Sequence, residues 1–156
     1  MIVLPATPAP SHAEMSLVDF GGELVPSLGG PVQRLERLGT RFAINCSMPP
    51  MQGVTARTWL AKLIQAKQEG GRLELPLQGL NVGSPGTAIE VDGAGQSGRT
   101  LNVKGAPVGY TFQVGQPFNI IVGGKYYLHY VMVEAVASGG GLAALSIEPM
   151  PVSYTH

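Results

Sequence analysis

The sequence is short of charge, of cysteine and of aromatic residues, and it has no long apolar run. Charged residues are 13% of the 156, about half the usual share of a soluble domain. The chain therefore lacks the solvated coat of most free monomers, and much of its surface is expected to meet other protein. Ten basic residues balance ten acidic ones, and a formal net charge of zero gives no long-range attraction for DNA, RNA or anionic lipid, so no nucleic-acid partner is expected. The single cysteine, Cys46, excludes an internal disulfide and a Cys-based zinc site, which fits synthesis in a cytoplasm. No stretch approaches the roughly 18 apolar residues of a bilayer span, so no membrane span is expected. The opening ten residues lack a basic n-region and are interrupted by Pro5, Pro8 and Pro10, which does not read as a signal peptide.

What the chain has instead is turn chemistry, with 22 glycines and 13 prolines. Its length suits one domain, which by size scaling buries roughly 68–70% of its unfolded surface, and leaves no room for a second independent core. The expected organisation is an extended Pro- and Ala-rich arm over residues 1–16, followed by a single β-rich domain over 17–156. The strongest pattern lies in residues 115–149. Three runs rich in β-branched and aromatic residues, 118–122, 125–133 and 142–147, are separated by Gly123-Gly124 and by the Ser-Gly-Gly-Gly run at 138–141, which predicts an antiparallel meander. The Gly-Gly pair suits a two-residue hairpin with positive φ at both central positions, and the longer run suits a looser connection. In the middle run Tyr126, Leu128, Tyr130 and Met132 alternate with Tyr127, His129, Val131 and Val133. Both faces are substantially apolar, as in a strand covered by its own fold on one side and by a neighbour on the other.

Upstream, residues 16–31 allow a short edge hairpin. Runs 32–38 and 41–48 alternate with period two and are expected to pair with each other across Gly39-Thr40. After Pro49-Pro50, Ala56, Trp59, Leu60, Leu63, Ile64 and Lys67 fall on one face at helical spacing, with Thr55 as N-cap and Gly70-Gly71 as the stop. This predicts one amphipathic helix over about 55–69. Strands are then expected over 72–77, 88–91 and 99–104, the last two forming a hairpin around a glycine loop. The fold class is mainly β, an antiparallel barrel or sandwich with the helix packed on it. Its core is expected to include Phe42, Ile44, Trp59, Leu63, Leu101, Phe118, Ile120, Leu128 and Leu145.

No motif carries enzyme chemistry. Residues 93–98, GAGQSG, match the dinucleotide pattern G-x-G-x-x-G, but that pattern works by opening a helix onto the pyrophosphate, and here a strand pattern follows. Gly124-Lys125-Tyr126 places an aromatic where a phosphate loop needs a hydroxyl. His12, His129 and His156 have no metal-ligand spacing, the acidic residues are scattered singly, and Cys46 or Ser97 with His129 has no third group to complete a nucleophilic site. No catalytic residue, metal or cofactor is expected. The candidate residues are those of an interface: Met1, Ile2, Val3 and Leu4 in the arm, whose apolar pattern has no evident partner nearby, and Tyr126, Tyr127 and Tyr130 in the meander. The three tyrosines also leave open a small β-barrel that binds a ligand or glycan on an aromatic face.

In order, PVQRLERLGTRFAINCSMPP, TARTWLAKLIQAKQEGG, GAGQSGRTLNVKG, VGQPFNIIVGGKYYLHYV and LAALSIEP cover about residues 30–149. Together they resemble tail components of long-tailed phages and gene-transfer particles, in particular the distal tail protein of long non-contractile tails. The resemblance implies a virion structural protein without catalytic residues. It would be assembled in the host cytoplasm as a homo-hexameric ring that joins the tail tube protein to the tail tip or baseplate hub protein. The second, receptor- or sugar-binding domain of larger members has no counterpart here. A minimal ring component and another small tail protein, such as a tail-completion or minor tail component, are equally admissible.

Overall fold

The computed structural model describes residues 1–37, 39–75 and 79–150. The protein is mainly β, with one helix and a curled antiparallel sheet that forms a half-barrel. Its elements in chain order are β1 (Ile2–Val3), β2 (His12–Val18), β3 (Gly22–Leu24), β4 (Gln33–Leu35), β5 (Arg41–Ser47), α1 (Gly53–Glu69), β6 (Gly71–Arg72), β7 (Glu90–Val91), β8 (Thr100–Lys104), β9 (Thr111–Phe112), β10 (Pro117–Val122), β11 (Lys125–Val133), β12 (Ala135–Val136) and β13 (Ala143–Glu148). Two compact units are interleaved along the chain. One comprises Met1–Ser16, Ala43–Gly79 and Ile121–Tyr126, the other Leu17–Phe42, Leu80–Ile120 and the chain from Tyr127 onward.

The five-stranded sheet runs β10-β11-β13-β8-β7, so the expected meander is present as β10, β11 and β13. Gly123 and Gly124 turn β10 into β11 with φ of 56° and 74°, a left-handed pair that side chains with a Cβ rarely adopt. The connection from β11 to β13 is tighter than the glycine run led us to expect. It holds β12, which pairs with β9, and its Ser138 N–H donates to Leu142 O at 2.8 Å while Gly141 N–H donates to Ser138 O at 2.9 Å. A bulge between Val131 and Val133 marks the point where β11 leaves β13. Leu101 lies opposite Leu145 and Val103 opposite Ala143. The period-two alternation thereby buries Leu101, Val131, Leu145 and Ile147 almost completely. Each such side chain contributes about 1.5–3 kcal/mol.

The expected core needs two corrections, since Ile44 and Leu63 are exposed. Trp59, Leu101, Ile120 and Leu145 are buried, and Phe42, Phe118 and Leu128 are half-buried. Among the described residues Val103, Ala106, Phe112, Val131, Ala137 and Ile147 complete the buried apolar set. The expected hairpin between 32–38 and 41–48 is also corrected. The pairing is nested: β3 pairs with β4, and β2 pairs with β5. The register of the inner pair sets Glu23 opposite Arg34. The physical reason lies at Asp19. Its Oδ1 accepts from the Gly21 amide at 2.8 Å and from the Thr40 hydroxyl at 3.0 Å, and its Oδ2 meets Arg34 Nη2 at 3.1 Å. One carboxylate ties together residues just before β3, within β4 and just before β5, so the chain doubles back around it rather than at Gly39. Leu38 lies outside the described residues.

The helix begins two residues before the expected start, with Gln52 as an N-cap that makes no side-chain hydrogen bond, so Thr55 is an interior residue. Gly70 ends it at φ 79°. Its buried stripe also differs from the expected one. Trp59 is buried with Ala56, Lys62 and Ala66 partly covered, while Leu60, Leu63 and Ile64 are exposed. The small face is selected by a close approach, because a Cβ on Gly71 would sit 2.8 Å from that of Ala66. The expected strand over 72–77 shortens to β6, and residues 76–78 lie outside the described residues. The later glycine-loop hairpin is present, with β7 antiparallel to β8.

Candidate interaction surface

The apolar opening of the chain has a partner after all, in its own unit. Ile2 lies opposite Gly71 and Val3 opposite Arg72 in a short parallel pair. Ile2 N–H donates to Gly70 O at 2.8 Å and Leu4 N–H to Arg72 O at 2.9 Å. A pairing across some 70 positions leaves no local period in a sequence, so it could not be read there. Met1 and Val3 remain exposed, while Ile2 and Leu4 are half-buried. Arg72 brings these residues together with Tyr126. Its Nη1 donates to the Tyr126 hydroxyl at 2.9 Å, its guanidinium carbon lies 4.5 Å from the ring centroid, and its Nη2 pairs with Glu74 at 2.6 Å. The stacked cation contributes about 0.5–1 kcal/mol at an exposed site. Val3, Leu4 and Tyr126 thus meet at Arg72, while Ile2 is held just before it, at Gly70 and Gly71.

Tyr127 and Tyr130 belong to the other unit. Tyr130 packs edge-on against Phe42, with ring centroids 4.9 Å apart, and partial burial pushes its phenol pKa up. Tyr127 is 44% exposed. The three tyrosines therefore sit in three different environments, one stacked under a guanidinium, one packed on a phenylalanine and one facing solvent.

In that same unit a cleft of about 260 Å³ is lined chiefly by Asp19, Arg34, Glu36, Arg37, Arg99 and Glu148. Arg99 pairs with Glu36 and, through Nε, with Glu148 at 3.1 Å. The Gly21 amide, then Thr40 and Arg34, hold the Asp19 carboxyl below the usual carboxylate range. The cleft is a lattice of ion pairs at the surface, which solvent screens so that they add little to stability, and its arginines and carboxylates balance.

His129 is buried, with Nδ1 2.9 Å from Pro149 O and its ring beside Phe118. Burial lowers its pKa, and the Pro149 contact partly opposes that shift. The G-x-G-x-x-G loop folds around Gln96. The Gln96 amide donates to Asp92 O at 2.6 Å and to Asn102 O at 3.0 Å, and its Oε1 accepts from Asn102 N–H at 2.6 Å. The chain then enters β8 rather than a helix. Among the described residues no three His, Cys, Asp or Glu side chains gather closely enough to hold a metal ion, and no helix is long and apolar enough to cross a membrane.

Two exposed apolar features escaped the sequence reading. Every residue of β3 and β4 is exposed, and the loop between them carries Val25, Val32 and Leu28, the last 98% exposed. The segment 25–32, VPSLGGPV, has no charge, and that combination of turn residues with large apolar side chains was the available signal. The second feature is the helix ridge of Leu60, Leu63 and Ile64. A scan against protein-family models and a search of curated proteins returned no match to this chain.

Proposed function

We propose that this protein is a structural subunit of a phage-like tail, a ring component joining the tail tube to the tail tip or hub. The observation that carries the reading is the exposed β3–β4 hairpin with its uncharged loop 25–32. A two-stranded ribbon is marginal in water unless a further strand or another protein covers it, yet its strands are wholly exposed and its loop presents Leu28 and Val25 to solvent. Further support comes from the exposed ridge on α1 and from a charged fraction of only 13%, the composition of a surface made to be covered by protein. The resemblance of residues 30–149 to distal tail proteins supplies the tail context. Gold-labelled antibody against the protein tests it: labelling should mark a single position at the far end of the tails of particles from cells that carry the gene. Particles without label, with the protein found elsewhere, would overturn the reading.

A further inference from the structure

We infer, independently of the reading of the chain as a tail subunit, that the exposed ridge of α1 docks an acidic amphipathic helix of a different protein.

The covered side of α1 is that of Trp59 and Ala66, which leaves Leu60, Leu63 and Ile64 between 48% and 60% exposed. Arg57 lies one turn before Leu60, and Lys67 one turn after Leu63 and Ile64, so all five share one face. The ridge is thus three aliphatic side chains with a cation at each end. Neither cation is neutralised from nearby. Among the described residues Arg57 and Lys67 take part in no ion pair. The strands on which the helix packs, β1 and β6, have no acidic residue. Glu69, the one acid of α1, falls on the side of the helix opposite Leu60.

The charge pattern selects the occupant. An aliphatic ridge with a cation at each end is matched by an aliphatic stripe with a carboxylate at each end. Arg57 and Lys67 are about 15 Å apart along the axis at the helical rise, so the matching carboxylates belong about ten positions apart on a partner helix. The i, i+3, i+4 spacing of Leu60, Leu63 and Ile64 suits such a helix, whose side-chain ridges enter the grooves beside them. A second copy of α1 does not match. Antiparallel pairing about the ridge sets Arg57 against Lys67, parallel pairing sets each cation against itself, and like charges repel. Among the described residues the chain has no other helix, so the acidic helix belongs to a different protein. A lipid surface does not match either, because cytoplasmic membrane sites gather about four to eight cations and this ridge has Arg57 and Lys67 alone.

The test titrates the full chain into a fluorescent synthetic helix with leucines at i, i+3, i+4 and i+7 and a glutamate at each end of that stripe, about 15 Å apart. The comparison probes are the same helix with lysines for glutamates, and phosphatidylglycerol vesicles. The acidic helix should bind, less tightly as salt rises, and the basic helix should bind at least about tenfold more weakly. Leu60→Asp should weaken the acidic helix at least about tenfold, and Arg57→Glu with Lys67→Glu should reverse the preference between the two helices. These positions are exposed, so circular dichroism should match the unsubstituted protein. Equal binding of both helices, binding of neither, binding of the vesicles instead, or a preference that charge reversal leaves unchanged overturns the inference. So does a native mass that falls in Leu60→Asp, since a second copy would then occupy the ridge. Binding of neither helix leaves the ring reading standing, because that reading rests on the hairpin.

Discussion

Replacing Trp59 by alanine tests the helical unit at its most buried point. The side chain is 3% exposed, and its Nε1–H donates to the Thr7 carbonyl at 3.3 Å. A buried indole removes roughly 150–250 Å² from water, which at about 25 cal/mol per Å² is about 4–6 kcal/mol. Residual compactness of the unfolded chain lowers that figure, to about 3–5 kcal/mol, the range seen for large aromatic truncations. For a chain of this length the melting temperature should fall by about 10 °C. Trp59→Phe keeps a ring and loses the hydrogen bond, and should cost about 1–2 kcal/mol. Leu60→Ala, one position along on the exposed ridge, should cost under about 1 kcal/mol. Urea denaturation of the three variants gives the comparison. A loss below about 1 kcal/mol for Trp59→Ala, or an equal loss for Leu60→Ala, would refute the assignment of the buried face.

Three further outcomes are expected. Gly71→Val should destabilise by about 1–3 kcal/mol, because its Cβ would sit 2.8 Å from Ala66 Cβ, closer than van der Waals contact allows, and loss of amide protection at Ile2 and Leu4 would locate the damage. Gln96→Ala should cost about 1–2 kcal/mol by removing the amide that bridges Asp92 and Asn102, read from the urea midpoint. His129 titrates in the direction set by burial: its folded pKa lies below 6.5, so below that pH the unfolded chain binds the extra proton. Stability should therefore fall as pH drops from about 6.5 towards the folded value, and His129→Gln should remove that part of the slope between pH 7.5 and 5.5.

Elements held by local periodicity were legible in the sequence, and those held by distant pairing were not. The Gly123-Gly124 turn and the three strands around it could be read because turn residues and alternation sit side by side. The helix could be read from its spacing, but not its buried face. Leu60, Leu63 and Ile64 make the more apolar stripe, yet the close approach of Gly71 favours the side of Ala66, and that depends on a strand from outside the helix. The nested pairing of β2 with β5 and β3 with β4 was hidden for a similar reason. Asp19 reads as an isolated acid, and only its reach to Gly21, Arg34 and Thr40 shows that it organises the doubling of the chain. Of the candidate interface, Ile2, Val3, Leu4 and Tyr126 could be selected as apolar or aromatic residues lacking a local partner, but Arg72, which joins them, carries no signal beyond an alternating charge.

The most direct test of the central claim is the native mass of the purified full-length protein. A ring subunit of 16.3 kDa should give one dominant closed species, and six copies of 16.3 kDa make about 98 kDa. That species should persist on dilution, as large apolar interfaces do. A single species at 16.3 kDa across the whole concentration range would contradict the account.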